Sequence, residues 1–401
     1  MVERGVASPA ASAGLSELLE RAVVSATLMH WPSASTPLRA VILAGSLARG
    51  EGSWLEDGSG ARLLGDAELL CLIPDSAAPF RPAAQGALQE HVAQRLASEG
   101  MRAEITLTPV RERYLRTLPA HLFGYELRQT GRVLWGDRQA LTLVPEHAAR
   151  ALPREDAWRL LANRLVEVLP AAMAAEPAAA APWGFYPWVK LYLDMATSYL
   201  IFAGEYAPSY AARARRLRGL VERRLAAGGG GESGMVTRAF AQQVEACTAW
   251  KLAPHAEIGR VFGSGWRARA LHDARALWIW EMQQLTADES ANPAELWEGW
   301  LRQQPRRARL HGWASAVRRL GGGRPGLWPR WLRLARRASP RHWIYQAAMD
   351  LLYEPPPGQG GALTRCAARL PLPPPHPPRT AAELAGCVVN NFHCLAHSTR
   401  A

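Results

Sequence analysis

Three short apolar runs, each stopped by glycine or proline, fall between residues 40 and 109; from about residue 154 the apolar residues recur at helical spacing instead. Ala40–Ala44 (AVILA) ends at Gly45, Ala67–Ile73 (AELLCLI) at Pro74, and Ala103–Leu107 (AEITL) just before Pro109. Runs this short and this apolar read as strands. Residues 14–30 place Leu15, Leu18, Leu19, Val23, Ala26 and Leu28 on a helical stripe, and 83–99 form an amphipathic helix ended by Gly100. Pro32 and Pro37 bracket a loop, and 45–65, rich in Gly, Ser and charge, reads as another. The order helix, strand, loop, strand, helix, strand predicts a small mixed sheet with flanking helices. After Gly136-Asp137, helices are predicted over 154–173, 187–203, 207–227, 236–252, 267–286 and 293–304, with breaks at 228–231 and 321–323. Residues 305–345 are dense in Arg and Trp, and Pro355–Pro357 with the proline-rich 371–378 isolate a last helix over 380–397. No repeat of fixed period is present. The fold class is α+β followed by an all-α part, divided as 1–145, 146–305 and 306–401.

A chain of 401 residues predicts two or three domains at roughly 100–200 residues each. With 48% hydrophobic and 20% charged residues, it can bury a core and is not broadly disordered. No stretch approaches the ~18 uncharged apolar residues of a membrane helix, so no span is expected. Residues 1–26 carry Glu3, Glu17 and Glu20 and no continuous apolar segment, unlike a secretory signal. Five scattered cysteines (Cys71, Cys247, Cys366, Cys387, Cys394) argue against a disulfide scaffold and for a reducing, cytoplasmic setting. Residues 1–150 hold 15 Arg and 16 Asp+Glu, a net of −1, whereas 151–401 hold 32 basic and 19 acidic residues, a net of +13. That surplus suits an anionic partner: nucleotide, nucleic acid, sugar phosphate or anionic lipid. With 45 Arg against two Lys, Lys190 and Lys251, it also resembles the bias of a GC-rich coding sequence.

The chemistry lies in Leu43–Ile73. A strand runs into Gly45-Ser46, a Gly-rich loop follows, and Asp66 and Glu68 stand two apart on the next strand. A period of two puts both carboxylates on one face of that strand. Mg²⁺ prefers carboxylate oxygens, keeps waters, and takes its other ligands from substrate phosphates. Gly45 lets the backbone approach a phosphate, and the Ser46 hydroxyl and nearby N–H groups can donate to its oxygens. Glu104, on the third strand, is placed to face the same metals. Arg102 shares its face, so a solvated ion pair explains that spacing equally well.

Gly45, Ser46, Asp66 and Glu68 match the pattern of the nucleotidyltransferase superfamily related to DNA polymerase beta: hydrophobic run, Gly-Ser, spacer, Asp-x-Asp/Glu. Phe123–Asp137 (FGYELRQTGRVLWGD) is similar to the segment closing the catalytic domain of bacterial small-molecule nucleotidyltransferases. Lys190–Arg213, with Tyr206, Pro208 and Ser209, resembles more weakly the helical domain of aminoglycoside-type adenylyltransferases. The resemblance covers about 1–215. It departs from the family in a longer spacer between Ser46 and Asp66, reading as an insertion around Trp54–Arg62, and in having Glu as second acid.

The resemblance implies a catalytic domain over 1–145 and a helical domain over 146–305 that completes a cleft for a nucleoside triphosphate (NTP) and its acceptor. Asp66, Glu68 and Glu104 would be the catalytic, metal-holding acids for two Mg²⁺ ions, with Mn²⁺ as a substitute. Gly45, Ser46, Arg49 and Lys190 would hold the NTP, expected to be ATP. Arg49 reads equally as a solvated loop residue, and Lys190 alternatively as a core-edge lysine. Asp194, one turn after Lys190, suits either an i,i+4 pair or a base contact. Cys387, His393, Cys394 and His397 lack the paired spacing of a structural zinc site and read as an ordinary terminal helix. Trp297, Trp300, Trp313, Trp328, Trp331 and Trp343 read as fillers between helices, with nucleic-acid stacking the less favoured alternative. The expected reaction is transfer of a nucleoside monophosphate, AMP from ATP, to a hydroxyl or phosphate of a small acceptor with release of pyrophosphate. The alternatives are nucleotidylation of a protein or RNA partner, and a non-catalytic nucleotide-binding or antitoxin-like module.

Overall fold

The computed structural model describes residues 9–32, 36–57, 60–78, 80, 82–174, 182–226, 236–254, 265–320, 325–353 and 360–395. The breaks at 228–231 and 321–323, Pro355–Pro357 and His397 lie outside the described residues. The class is mixed α and β, the strands all lying before residue 137 among the described residues.

The first half builds from α1 (Pro9–His30), β1 (Ala40–Ala44), a short α2 (Gly45–Ala48), β2 (Ser53–Asp57), β3 (Gly60–Ile73), α3 (Pro82–Ser98), β4 (Met101–Arg111), α4 (Glu112–Arg116), α5 (Leu122–Thr130) and β5 (Arg132–Gly136). β3 is the spine. β4 runs parallel along one edge of it, while β1 and β2 pair antiparallel with the two ends of the other edge, and β5 adds to β1. α3 makes the crossover that a parallel β3–β4 pair requires. Alternation then sorts the side chains. Val41, Leu43, Ala67, Leu69, Cys71, Ile105 and Leu107 pack beneath α1 and α3. Ala40, Ile42, Ala44, Leu70, Leu72 and Val110 form a smaller core with α4 and α5 on the opposite face.

Three expectations need correction. The 45–65 loop contains β2 and the start of β3, paired from Ser53↔Leu64 to Asp57↔Gly60. The extra spacer is therefore a hairpin, and it is well packed: Trp54 is fully buried and its indole N–H donates to Ser16 Oγ at 3.1 Å. β4 continues through Pro109 to Arg111. Among the described residues it pairs only with β3, so it is an edge strand, where the missing N–H of proline costs little. β5 forms a fifth strand within the segment read only by resemblance; Gly136 turns there at φ +88°, and a Cβ would meet Arg39 O at 2.1 Å.

The second half is helical: α6 (Arg154–Met173), α7 (Tyr186–Phe202), α8 (Tyr210–Ala226), α9 (Arg238–Leu252), α10 (Trp266–Thr286), α11 (Pro293–Gln303), α12 (Arg306–Arg319), α13 (Trp328–Ala335), α14 (Pro340–Tyr353), α15 (Gly360–Ala367) and α16 (Ala381–Leu395). Thr237 and Asn292 cap α9 and α11, accepting from Phe240 N and Ala294 N at 3.1 and 3.0 Å. α7 is buried along nearly its whole length and serves as the central helix. Residues 306–395 share this core: α14 and α16 lie against α6, and Trp158, Trp300 and Tyr345 meet at its centre. Leu55 and Leu64 of the β2–β3 hairpin join the same cluster, tying sheet to helices. No helix among the described residues is long and apolar enough to cross a membrane.

Candidate active site

The β3–β4 register shifts between Arg62 and Asp66 and is regular from Asp66 to Ile73. Gly65 sits in the shift with φ +106°, which an L side chain rarely adopts. A Cβ at this position would also meet the Tyr186 hydroxyl at 2.7 Å. Tyr186, at the start of α7, donates that hydroxyl to Leu64 O at 2.9 Å. A local irregularity of this kind re-aims the side chains that follow, here Asp66, and the helical half pins it in place.

From there Asp66 lies directly opposite Glu104, and Glu68 lies between Thr106 of β4 and Ala44 of β1. Partners in register project to the same face, so Asp66, Glu68 and Glu104 share one face of the sheet. Asp66 and Glu68 are half-buried and Glu104 is exposed. Gly45 follows Ala44 at φ +71°, with the Glu68 carboxyl group 3.7 Å from where its Cβ would stand. The Gly45–Ser46 turn therefore leaves the sheet against the second acid. Ser46 O accepts from Glu51 N at 2.8 Å, which closes the loop back on itself. Among the described residues no three His, Cys, Asp or Glu side chains are gathered closely enough to hold a metal ion, so Glu104 does not join Asp66 and Glu68 in a three-acid metal cluster. A groove of about 550 Å³ between α1 and β5, lined by Glu17, Glu20, Arg21 and Arg132, belongs to another part of the surface.

The helical wall brings both lysines of the chain to this place. The Nζ atoms of Lys190 on α7 and Lys251 on α9 each lie 5.7 Å from the centre of the Tyr186 ring. Lys190 is half-buried. Lys251 is 1% exposed and donates to Glu51 O at 3.2 Å and Ser53 Oγ at 2.7 Å. Burial first, and the charge of Lys190 second, lower its pKa to about 7, while Glu51 and Asp66 pull it upward. The sequence offered no local signal for Lys251; only its rarity marked it.

Arg49 is placed differently from the phosphate role assigned to it. Its side chain is 4% exposed and bonds Glu51 Oε2 at 2.8 Å and Glu126 Oε2 at 3.0 Å. Burial alone would lower its pKa, but Glu126, Tyr210 and Glu51 outweigh that and raise it. Arg213 of α8 meets the other oxygen of Glu126 at 2.5 Å and also bonds Thr197 Oγ1, Tyr206 Oη, Ala207 O and Pro208 O. Burial would raise the pKa of Glu126; Arg49 and Arg213 reverse this and lower it. Asp194 accepts from Arg164 Nε at 2.6 Å, a partner that neither sequence reading of this residue included.

Trp297, Trp300, Trp313, Trp331 and Trp343 are buried, which removes them as stacking platforms for nucleic acid; Trp328 is 41% exposed. Cys387, His393 and Cys394 lie along α16. Compared with models of protein families, with curated proteins and with solved structures, the chain matches none.

Proposed function

We propose that this chain is a nucleotidyltransferase of the DNA polymerase beta type, moving a nucleoside monophosphate from an NTP, with ATP the expected donor, to a small acceptor and releasing pyrophosphate. The observation that supports this reading is the shared sheet face of Asp66, Glu68 and Glu104, with the Gly45–Ser46 turn against Glu68 and Lys190 on the neighbouring helical wall. The donor set fits Mg²⁺, which takes one or two carboxylates from a protein and the rest from phosphates and water. When bound, Mg²⁺ would neutralise phosphate charge and acidify the attacking hydroxyl.

The residues of the chain supply the rest. Asp66 and Glu68 hold the cation, and the Gly45–Ser46 backbone and the Ser46 hydroxyl donate to the phosphate tail. Lys190 balances charge growing on the leaving pyrophosphate. Glu104, the exposed acid, would take the proton of the acceptor hydroxyl. Arg49 acts indirectly, fixing the loop that carries Ser46. The two-residue period and the retained acids favour this over a non-catalytic nucleotide-binding module, since a module of that kind does not need a carboxylate pair beside the phosphate turn.

The test is a pyrophosphate-release screen with Mg²⁺ or Mn²⁺, each of the four NTPs and pooled hydroxyl and phosphate acceptors. Wild-type protein should turn over with one NTP and one pool, and Asp66→Asn should fall by at least about a hundredfold with an unchanged circular dichroism spectrum. Full activity in Asp66→Asn would overturn the assignment. Metal-dependent NTP binding without turnover would move the reading to a protein or RNA acceptor or to the nucleotide-binding module.

A further inference from the structure

Between Glu298 and Asp350 the chain has twelve arginines and no acidic residue. A GC-rich bias accounts for arginine replacing lysine, but not for the loss of every acid over fifty residues. Some of these arginines have internal work. Arg337 pairs with both oxygens of Glu298 at 2.7 and 2.8 Å, and Arg330 bonds Ala367 O, Ala368 O and Leu370 O. Arg307 and Arg318 on α12, with Arg333 and Arg336 at α13, are exposed and meet no acidic side chain among the described residues.

Apolar side chains stand among them. Leu310 is 64% exposed, Leu332 62% and Trp328 41%, three of the seven large hydrophobics exposed among the described residues. Trp328 and Leu332 on α13 and Arg336 at its C-cap succeed one another at four-residue spacing, one stripe of the helix. On α12, Arg307, Leu310, Ala314 and Arg318 do the same at three- and four-residue spacing. The inner faces of both helices are held by tryptophan: the Trp313 and Trp331 rings lie 5.8 Å apart, and Trp313 Nε1 donates to Ala338 O at 2.9 Å. The outer stripes are thus fixed on packed helices, and each sets exposed apolar side chains beside arginines that have no acidic partner among the described residues.

We propose that the outer faces of α12 and α13 dock the protein on an anionic lipid surface, with Leu310, Trp328 and Leu332 entering the headgroup layer and the four arginines meeting lipid phosphates. Charge complementarity calls for a polyanion, and the leucines choose between polyanions. A phosphate backbone gains nothing from an exposed leucine, whereas the headgroup–acyl boundary buries leucine and tryptophan while leaving guanidinium groups at phosphate level. The attachment is peripheral and does not depend on the reaction proposed for the cleft.

The experiment is co-sedimentation of the full chain with sucrose-loaded vesicles of phosphatidylcholine alone, or of equal parts phosphatidylcholine and phosphatidylglycerol. Binding to the mixed vesicles only, weakened by salt, is expected. Arg333→Gln with Arg336→Gln should weaken it about 25-fold, two charges at roughly fivefold each. Trp328→Ser with Leu332→Ser, which keeps every charge, should abolish sedimentation. All four positions are exposed, so both variants should fold, as circular dichroism checks. No binding to mixed vesicles, equal binding to both kinds, full binding by the Ser variant, or capture by single-stranded RNA in place of vesicles would each overturn the proposal.

Discussion

With 45 arginines and two lysines, the positions that keep lysine carry information. Where any cation serves, this chain uses arginine. Both exceptions flank one tyrosine on the wall facing Asp66. Lys251 is enclosed, with its ammonium spent on Glu51 O and Ser53 Oγ, and the planar five-donor fork of arginine has a shape and a donor count that this site does not match. Lys190 is half-buried, and the proposed role as a point charge for a phosphate tail requires its ammonium to be reachable. The scarcity makes a clean measurement available. Acylation with an amine reagent followed by peptide mass spectrometry should label Lys190 and leave Lys251 unmodified in the folded protein. ATP with Mg²⁺ should slow Lys190 labelling at least about tenfold; labelling that ATP leaves unchanged removes Lys190 from the NTP site. The common face of Asp66 and Glu68 was legible because strand alternation is a local rule that turns spacing into a shared face, whereas Glu104 joins it through the β3–β4 register. Lys251 was not legible, because its partners lie about two hundred residues away in the chain. Arg49 was misread for the same reason, since Glu126 is 77 residues distant.

At the scale of elements, the long helices could be read within a few residues because the burial of one stripe repeats at 3.6 residues. α6 spans the expected 154–173, α7 is shifted by one residue at both ends, and α10 starts one residue before expectation. The hairpin strand β2 escaped because SWLED carries charge and lies among glycines, and its partner Gly60–Leu64 is defined only by pairing. One packing contact holds a testable oddity. Glu281 of α10 is fully buried against α7, where Ser198 Oγ donates to Oε1 while Oε2 has no partner among the described residues. Burial pushes its pKa up to about 8, with the Ser198 bond opposing. The folded state therefore favours the neutral acid. That contribution is whole below the unfolded value near 4.5 and is lost as pH rises through about 8. Urea unfolding between about pH 5 and pH 9 should show wild-type stability falling relative to Glu281→Gln, by on the order of 4 kcal/mol at full titration. Parallel pH profiles for the two proteins would show that Glu281 is ionised in the fold.

Sheet and helices are joined in the whole molecule by charge as well as by Leu55 and Leu64. Glu126 on α5 receives Arg49 from the loop after Ser46 and Arg213 from α8, and the Tyr206 hydroxyl donates to it. Glu51 takes Arg49 on one oxygen and Tyr210 N on the other, at 2.7 Å, while Lys251 grips the backbone of the same loop from α9. The loop bearing Gly45 and Ser46 is thus held by side chains of α5, α8 and α9, and the placement of the turn against Glu68 depends on the two halves remaining docked. Removing Glu126 would leave two largely buried guanidinium groups without their shared carboxylate, and breaking a buried pair from one side costs more than the pair contributes. Glu126→Ala should therefore lose about 3 kcal/mol in urea unfolding. It should also separate one cooperative transition into two, because contacts within each layer are untouched while the bond between them is cut. Followed by tryptophan fluorescence, which reports mainly the helical half where most tryptophans are buried, and by far-UV circular dichroism over the whole chain, the two curves should cease to coincide. On the proposed function, the same variant should raise the KM for the NTP more than it lowers kcat, since it loosens the Gly45–Ser46 turn while leaving Asp66, Glu68 and Glu104 in register on their strands. Coincident curves with unchanged stability would mean that apolar contacts alone hold the halves together, and the charged network would then have no part in positioning the loop.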